Sequence, residues 1–286
     1  MERFFFIGSQ WLYYKIYCGA RTADFILKEK LHPIIQELKN NNIIQKWFFI
    51  RYNDPEQHIR IRFYSENPEN AFIIISKLFP LLNTLLDENS IWKIQTDTYQ
   101  RELERYGKET IEESETLFCI NSEIILNYLF LKQNFIENEM EFFFSFILID
   151  NFLNAFSLNN TQKLQLMEGL QNSFKKEFNV DKTLRREMDN QFRQLYKEMH
   201  HFISQNAFKD LPELYKTINI NSTQSRETIT TIKNRLKINL YDFLGSHIHM
   251  MINRQYTSKQ RMYELIIYNH LYKYYKSLNY NLQKTV

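Results

Sequence analysis

Residues 58–63 read His-Ile-Arg-Ile-Arg-Phe, a strict polar–apolar alternation with the period of a strand that buries one face. Ile59, Ile61 and Phe63 are predicted to point inward. His58, Arg60 and Arg62, with Tyr64 beside them, are predicted to share the opposite face, either as a solvated strand face or as a fixed cationic fork. Residues 11–17 are aromatic-rich and suit a strand, and residues 43–51 suit a second, with Trp47, Phe48, Phe49 and Ile50 at its centre. The Asn-Asp-Pro-Glu turn at 53–56 makes the second strand and the alternating one an antiparallel hairpin. Thr22 opens a helix carrying Leu27, Leu31, Ile34, Ile35 and Leu38 on one face, with Pro33 as its kink or effective start. A helix over 68–86 and a strand over 91–99 follow.

Further along, apolar residues recur at steps of three and four: Leu164, Met167, Leu170, Phe174, Phe178, and then Leu184, Met188, Phe192, Leu195, Met199. These are core stripes of helices. The polar run 219–228 reads as a loop, and Thr257 with Gln260 reads as a capping box opening a last helix over 258–278. The fold class is therefore α+β, with an N-terminal antiparallel-containing sheet layer and a predominantly helical C-terminal part. A single domain over 1–286 is expected, with the sheet-containing part at about 1–107 and the helical part at about 108–286.

Composition narrows the classes. The 286 residues include 24 Phe and 18 Tyr but only 5 Gly, which favours long helices over a glycine-turned sandwich or a nucleotide-binding α/β fold. At 44% hydrophobic the chain can build a sizeable core. A net charge of +3 is too mild to imply nucleic-acid binding. Cys18 and Cys119 form no metal-spacing motif or disulfide framework, which points to a reducing, cytoplasmic setting. The start is not a signal peptide, and the longest apolar run, 142–149, is far below membrane-spanning length. No phosphate loop, nucleophile elbow or zinc-ligand spacing is present, so no cofactor is expected.

Three polar clusters carry candidate chemistry. Arg60 and Arg62 form a cationic fork suited to a carboxylate or phosphate, because each guanidinium offers parallel donors. Glu102 and Arg105 lie one helical turn apart and can pair, either as an ordinary surface ion pair or so that Glu102 aims Arg105 at an anion. His249 and Asn253 share a helix face among apolar neighbours, where a histidine is either a satisfied core residue or a tuned acid or base.

Together these clusters resemble the C-terminal glutamate-elimination domain of class I lantibiotic dehydratases, also labelled thiopeptide-type bacteriocin biosynthesis proteins. Residues 47–63 resemble that family's hairpin, Arg-Glu-Leu-Glu-Arg-Tyr-Gly at 101–107 its Glu-x-x-Arg-Tyr-Gly signature, and His-Met-Met-Ile-Asn-Arg at 249–254 its His-Met-x-x-Asn-Arg segment, in matching order. Lys108 departs from the pattern, where the family often has a second glycine. The resemblance implies β-elimination of glutamate from glutamylated Ser or Thr of a ribosomal precursor peptide, leaving dehydroalanine or dehydrobutyrine. It implies that Arg60, Arg62, Glu102, Arg105 and His249 line the elimination site. It further implies a half of a split dehydratase, served by a separate glutamyl-tRNA-dependent glutamylating protein, with no direct nucleic-acid contact and a tendency to form homodimers. Two alternatives stay open: the formal [4+2] cyclase that builds thiopeptide pyridines, and a non-catalytic scaffold that binds the precursor peptide by strand addition.

Overall fold

The alternating segment forms a strand with the expected inward set. In the computed structural model, which describes residues 2–133, 135, 139–209, 211–219 and 222–284, β1 is Phe4–Phe5, β2 Trp11–Tyr17, β3 Lys46–Asn53 and β4 Gln57–Tyr64. β5 is Lys93–Thr96 and β6 is Tyr99–Gln100. The main sheet is antiparallel in the order β3-β4-β2-β5, and β1 pairs with β6 in a separate ribbon. The strand expected over 91–99 is thus two strands serving different sheets.

The register aligns Phe48, Arg62 and Tyr13 in one row, Ile50, Arg60 and Lys15 in the next, and Tyr52, His58 and Tyr17 in the third. Directly opposed residues in antiparallel strands share a face, so these rows make one face. The other carries the buried Leu12, Tyr14, Ile16, Trp47, Phe49, Ile59, Ile61 and Phe63.

The described residues divide into two compact units. The first comprises 1–130, 223–238 and 253–258. Its helices begin with α1 Ala20–Phe25, a π-helical turn Ile26–Leu31, and α2 His32–Asn40. Pro33 falls in the first turn of α2, where its missing N–H matters least. α3 Asn70–Asp87 buries Ala71, Ile74, Leu78, Leu82 and Leu85. Among the described residues it is the one helix long and apolar enough, by length and composition, to cross a membrane. α4 Leu103–Tyr106 is a single turn, and α5 is Ile111–Lys132.

The second unit comprises 131–222, 239–252 and 259–286. Its helices include α6 Met140–Ala155, α7 Asn160–Glu177, α8 Lys182–Ile203 and α9 Pro212–Ile218. α7 opens on a capping box of Asn159 and Gln162, and Asp181 caps α8 by accepting from Leu184 N. Met167, Phe174, Met188, Leu195 and Met199 of the two predicted stripes are buried. Inside this core Asp150 Oδ1 meets Lys163 Nζ at 2.6 Å and accepts from Tyr275 Oη at 2.8 Å.

The polar run predicted as a loop is corrected by α10, Ser222–Arg235. Ile229 and Ile232, three residues apart, are both buried and anchor it from one side. α11 Leu240–Gln255 and α12 Gln260–Lys284 complete the chain.

Candidate functional site

The sheet face carrying His58, Arg60 and Arg62 is largely covered, because aromatic rings fold over it. Arg62 is 7% exposed and His58 is buried. The Arg62 guanidinium carbon lies 4.2 Å from the Tyr13 ring centroid, 4.8 Å from that of Tyr99 and 5.1 Å from that of Phe48. Tyr99 reaches the site from β6 and is held by donating to Glu115 Oε1 at 2.9 Å. Ring faces favour a cation, but they accept no strong hydrogen bond. Among the described residues Arg62 donates none, and its Nε is buried without an acceptor. Burial lowers the Arg62 pKa, with Tyr13, Tyr99 and Glu102 opposing that shift and Arg60 adding to it.

Arg60 is aimed differently. Its guanidinium carbon stands 3.4 Å from the centroid of the Tyr52 ring, and its Nε donates to His58 Nε2 at 2.9 Å. Arginine has no acceptor role, so His58 Nε2 must be the bare nitrogen. The ring proton then sits on Nδ1, 2.7 Å from the Glu56 carbonyl that receives it. Burial lowers the His58 pKa, which favours this neutral form. Tyr17 stacks on the His58 ring, with centroids 4.6 Å apart. With Nε engaged, Arg60 is left with its two terminal nitrogens, the end that grips a carboxylate through parallel hydrogen bonds.

Glu102 and Arg105 pair as predicted, Arg105 Nε to Glu102 Oε2 at 3.1 Å, with side chains 60% and 53% exposed respectively. An exposed pair of this kind adds well under ~1 kcal/mol to stability, and it engages Arg105 through Nε. The turn after it needs glycine. Gly107 has φ +75, and a Cβ there would meet Thr110 Oγ1 at 2.6 Å. Lys108 is exposed and has no positive φ, so a second glycine is not required.

Neighbouring arginines are already neutralised or tied. Arg101 forks onto Glu115 through two contacts of 2.7 Å. Arg51 donates to Asp24 and to the Arg254 carbonyl. Arg254, with a pKa pushed down by burial to about 9, donates to the Phe49 carbonyl and to Asn121 Oδ1. These pairings depend on long-range packing, which the sequence does not display.

In the second unit His249 is part-exposed, and its Nδ1 lies 2.7 Å from Glu264 Oε1. Asn253 does not extend this cluster. Its Oδ1 accepts from Arg51 N and its Nδ2 donates to Arg51 O, both at 2.9 Å, so the amide completes the outer edge of β3 like one residue of a further strand. Arg60, Arg62, Glu102 and Arg105 therefore stand in the first unit and His249 in the second. His58, Tyr13, Tyr99 and Glu264 are the contributors that sequence reasoning passed over as site residues. Among the described residues no group of three His, Cys, Asp or Glu side chains could hold a metal ion.

The family described as "Lantibiotic biosynthesis dehydratase C-term" matches residues 11–275. Subtilin biosynthesis protein SpaB of Bacillus subtilis is 26% identical over 267 residues, 91% of this chain and 25% of SpaB. The chain spans a quarter or less of the length of the curated relatives it matches. The crystal structure of the tRNA dependent lantibiotic dehydratase MibB from Microbispora sp. 107891 aligns with a TM-score of 0.74 at 20% identity, covering 96% of this chain and 29% of MibB. The pyridine synthase TbtD from thiomuracin biosynthesis aligns with a TM-score of 0.56 at 10% identity, covering 94% of this chain and 99% of TbtD. At these identities the structural likenesses show a shared fold.

Proposed function

This chain belongs to the lantibiotic biosynthesis dehydratase C-terminal family, and from that membership and its arginine fork we propose that it eliminates glutamate from glutamylated Ser or Thr of a ribosomal precursor peptide. The products are dehydroalanine and dehydrobutyrine. The observation that carries this reading is Arg62: a guanidinium enclosed by three rings, with no hydrogen-bond acceptor among the described residues, beside an Arg60 whose terminal nitrogens are left for a ligand. Such a site suits an anion that brings its own acceptors.

The chemistry asks for that anion. A base takes the Cα proton, the C–H electrons become the Cα=Cβ bond, and the Cβ–O bond breaks with its electrons on the departing glutamate carboxylate. Fixed cations at the point where charge develops are usually the largest catalytic term. Arg60 and Arg62 bind the glutamyl group, Glu102 steadies Arg105 as a further cation, and His249 moves the proton. A separate glutamyl-tRNA-dependent protein supplies the glutamylated peptide.

Incubating the purified chain with a glutamylated peptide, without tRNA or ATP, should release glutamate. Mass spectrometry should find the glutamyl group lost together with the serine oxygen. Arg60→Ala/Arg62→Ala should slow this by about 100-fold or more; an undiminished rate removes the fork from the mechanism. Simple hydrolysis returns Ser and refutes elimination. Ring formation from a peptide already bearing two dehydroalanines, with no glutamate released from the glutamylated one, assigns cycloaddition instead.

A further inference from the structure

Glu264 on α12 is 1% exposed and surrounded by donors. Its Oε1 takes His249 Nδ1 at 2.7 Å and Tyr268 Oη at 2.9 Å, and its Oε2 takes Arg261 Nη1 at 2.9 Å. Arg261 is anchored in turn by two contacts to Glu177, at 3.3 and 2.5 Å, and lies 4.1 Å from the Phe174 ring centroid. The carboxylate therefore cannot swing away from His249 without breaking a guanidinium pair and a phenol hydrogen bond. A carboxylate accepting from Arg261 and Tyr268 acts as acceptor toward the imidazole as well, so the shared His249 nitrogen carries the proton. His249 Nε2 contacts no donor or acceptor among the described residues, and the side chain is 27% exposed.

We propose that Glu264 is the positioning residue of His249, fixing the neutral ring in the Nδ1–H form so that Nε2 is the atom through which the proton of the elimination passes. This rests on His249 being that reaction's proton carrier. If His249 removes the Cα proton, the Nε2 lone pair accepts it, the C–H electrons form Cα=Cβ, and the Cβ–O pair leaves with glutamate. If it acts as the acid, the ring starts doubly protonated and its Nε2 proton passes to a carboxylate oxygen of the departing glutamate, while a separate base takes the Cα proton, the C–H electrons form Cα=Cβ and the Cβ–O pair leaves with glutamate. In both directions the imidazolium charge meets Glu264 through Nδ1–H. A carboxylate behind a catalytic imidazole does the same in hydrolytic triads, where the matching amide substitution installs the wrong tautomer.

The test begins with the unaltered protein. Nitrogen NMR with isotope-labelled histidine, His249 being assigned by its absence in His249→Gln, should find the neutral ring protonated on Nδ1. Glu264→Gln should move it toward Nε2–H and lower kcat by about 10²–10⁴-fold while KM stays within about threefold. Glu264→Asp, which keeps the carboxylate, should regain at least about tenfold of that loss. An Nε2–H ring in the unaltered protein overturns the proposal whether or not any variant folds. So does a folded Glu264→Gln that keeps its kcat within about threefold. An unaltered protein that forms no dehydroalanine refutes the elimination reading, while the tautomer measurement still decides what Glu264 does.

Discussion

Arg62 is a buried cation in an aromatic enclosure, and burying a charge without a counter-charge is expensive. The neighbouring Arg101 shows the ordinary remedy, a carboxylate fork from Glu115. Among the described residues Arg62 has no such fork, so its burial is expected to cost stability. Arg62→Met, similar in volume and apolar, should raise stability by about 1–4 kcal/mol in urea denaturation while glutamate release falls. A variant less stable than the parent would mean that the ring contacts outweigh the desolvation. Period-2 alternation was enough to place Arg60 and Arg62 on one face, because side-chain direction in a strand is fixed by backbone geometry. It could not foresee their enclosure, since the covering Tyr99 comes from a second sheet. Nor could it mark His58 as the acceptor that aims Arg60, because one histidine on a strand face looks the same wet or dry. Glu264 lies fifteen positions after His249, on the next helix, where no spacing rule links the two.

At the scale of elements, the Asn253 amide stands in for a strand by satisfying both the N–H and the C=O of Arg51. Asn253→Ala leaves both groups at the β3 edge without this partner and should cost about 2–4 kcal/mol by chemical denaturation. A change below about 0.5 kcal/mol would mean that water replaces the amide fully. The motif that suggested His249 and Asn253 as one cluster thus contains two separate devices, an imidazole held by Glu264 and a sheet clamp. Helical stripes such as Met188, Leu195 and Met199 were legible because they repeat over several turns. α10 was not, because its inward face is built on Ile229 and Ile232 in a run otherwise rich in Ser, Thr and charged residues. Tertiary packing, rather than its own propensity, sustains such a helix.

At the scale of the whole molecule, burial lowers the pKa of His32, His58 and His270 alike. His270 goes furthest, to about 4. Its Nδ1 is 2.8 Å from the Ile266 carbonyl, its buried Nε2 has no partner among the described residues, and its ring stacks on Phe146. A histidine depressed in the folded state is neutral on both sides of the unfolding equilibrium above its ordinary pKa of roughly 6.5. Below that the unfolded chain takes up a proton first, so stability drains away as the pH falls toward about 4. His270 alone should account for about 3 kcal/mol across that window. Denaturation at neutral and acid pH should register the loss, and His270→Phe should flatten most of that dependence; an unchanged slope would place the acid sensitivity elsewhere. The clamp on β3 carries a consequence in time. Asn253 follows Arg51 by 202 residues, and synthesis proceeds at roughly 5–20 residues per second. Each nascent chain therefore lives for about 10–40 s with the edge of its N-terminal sheet still lacking this closure, an interval in which a chaperone or another chain can reach it before its own asparagine does.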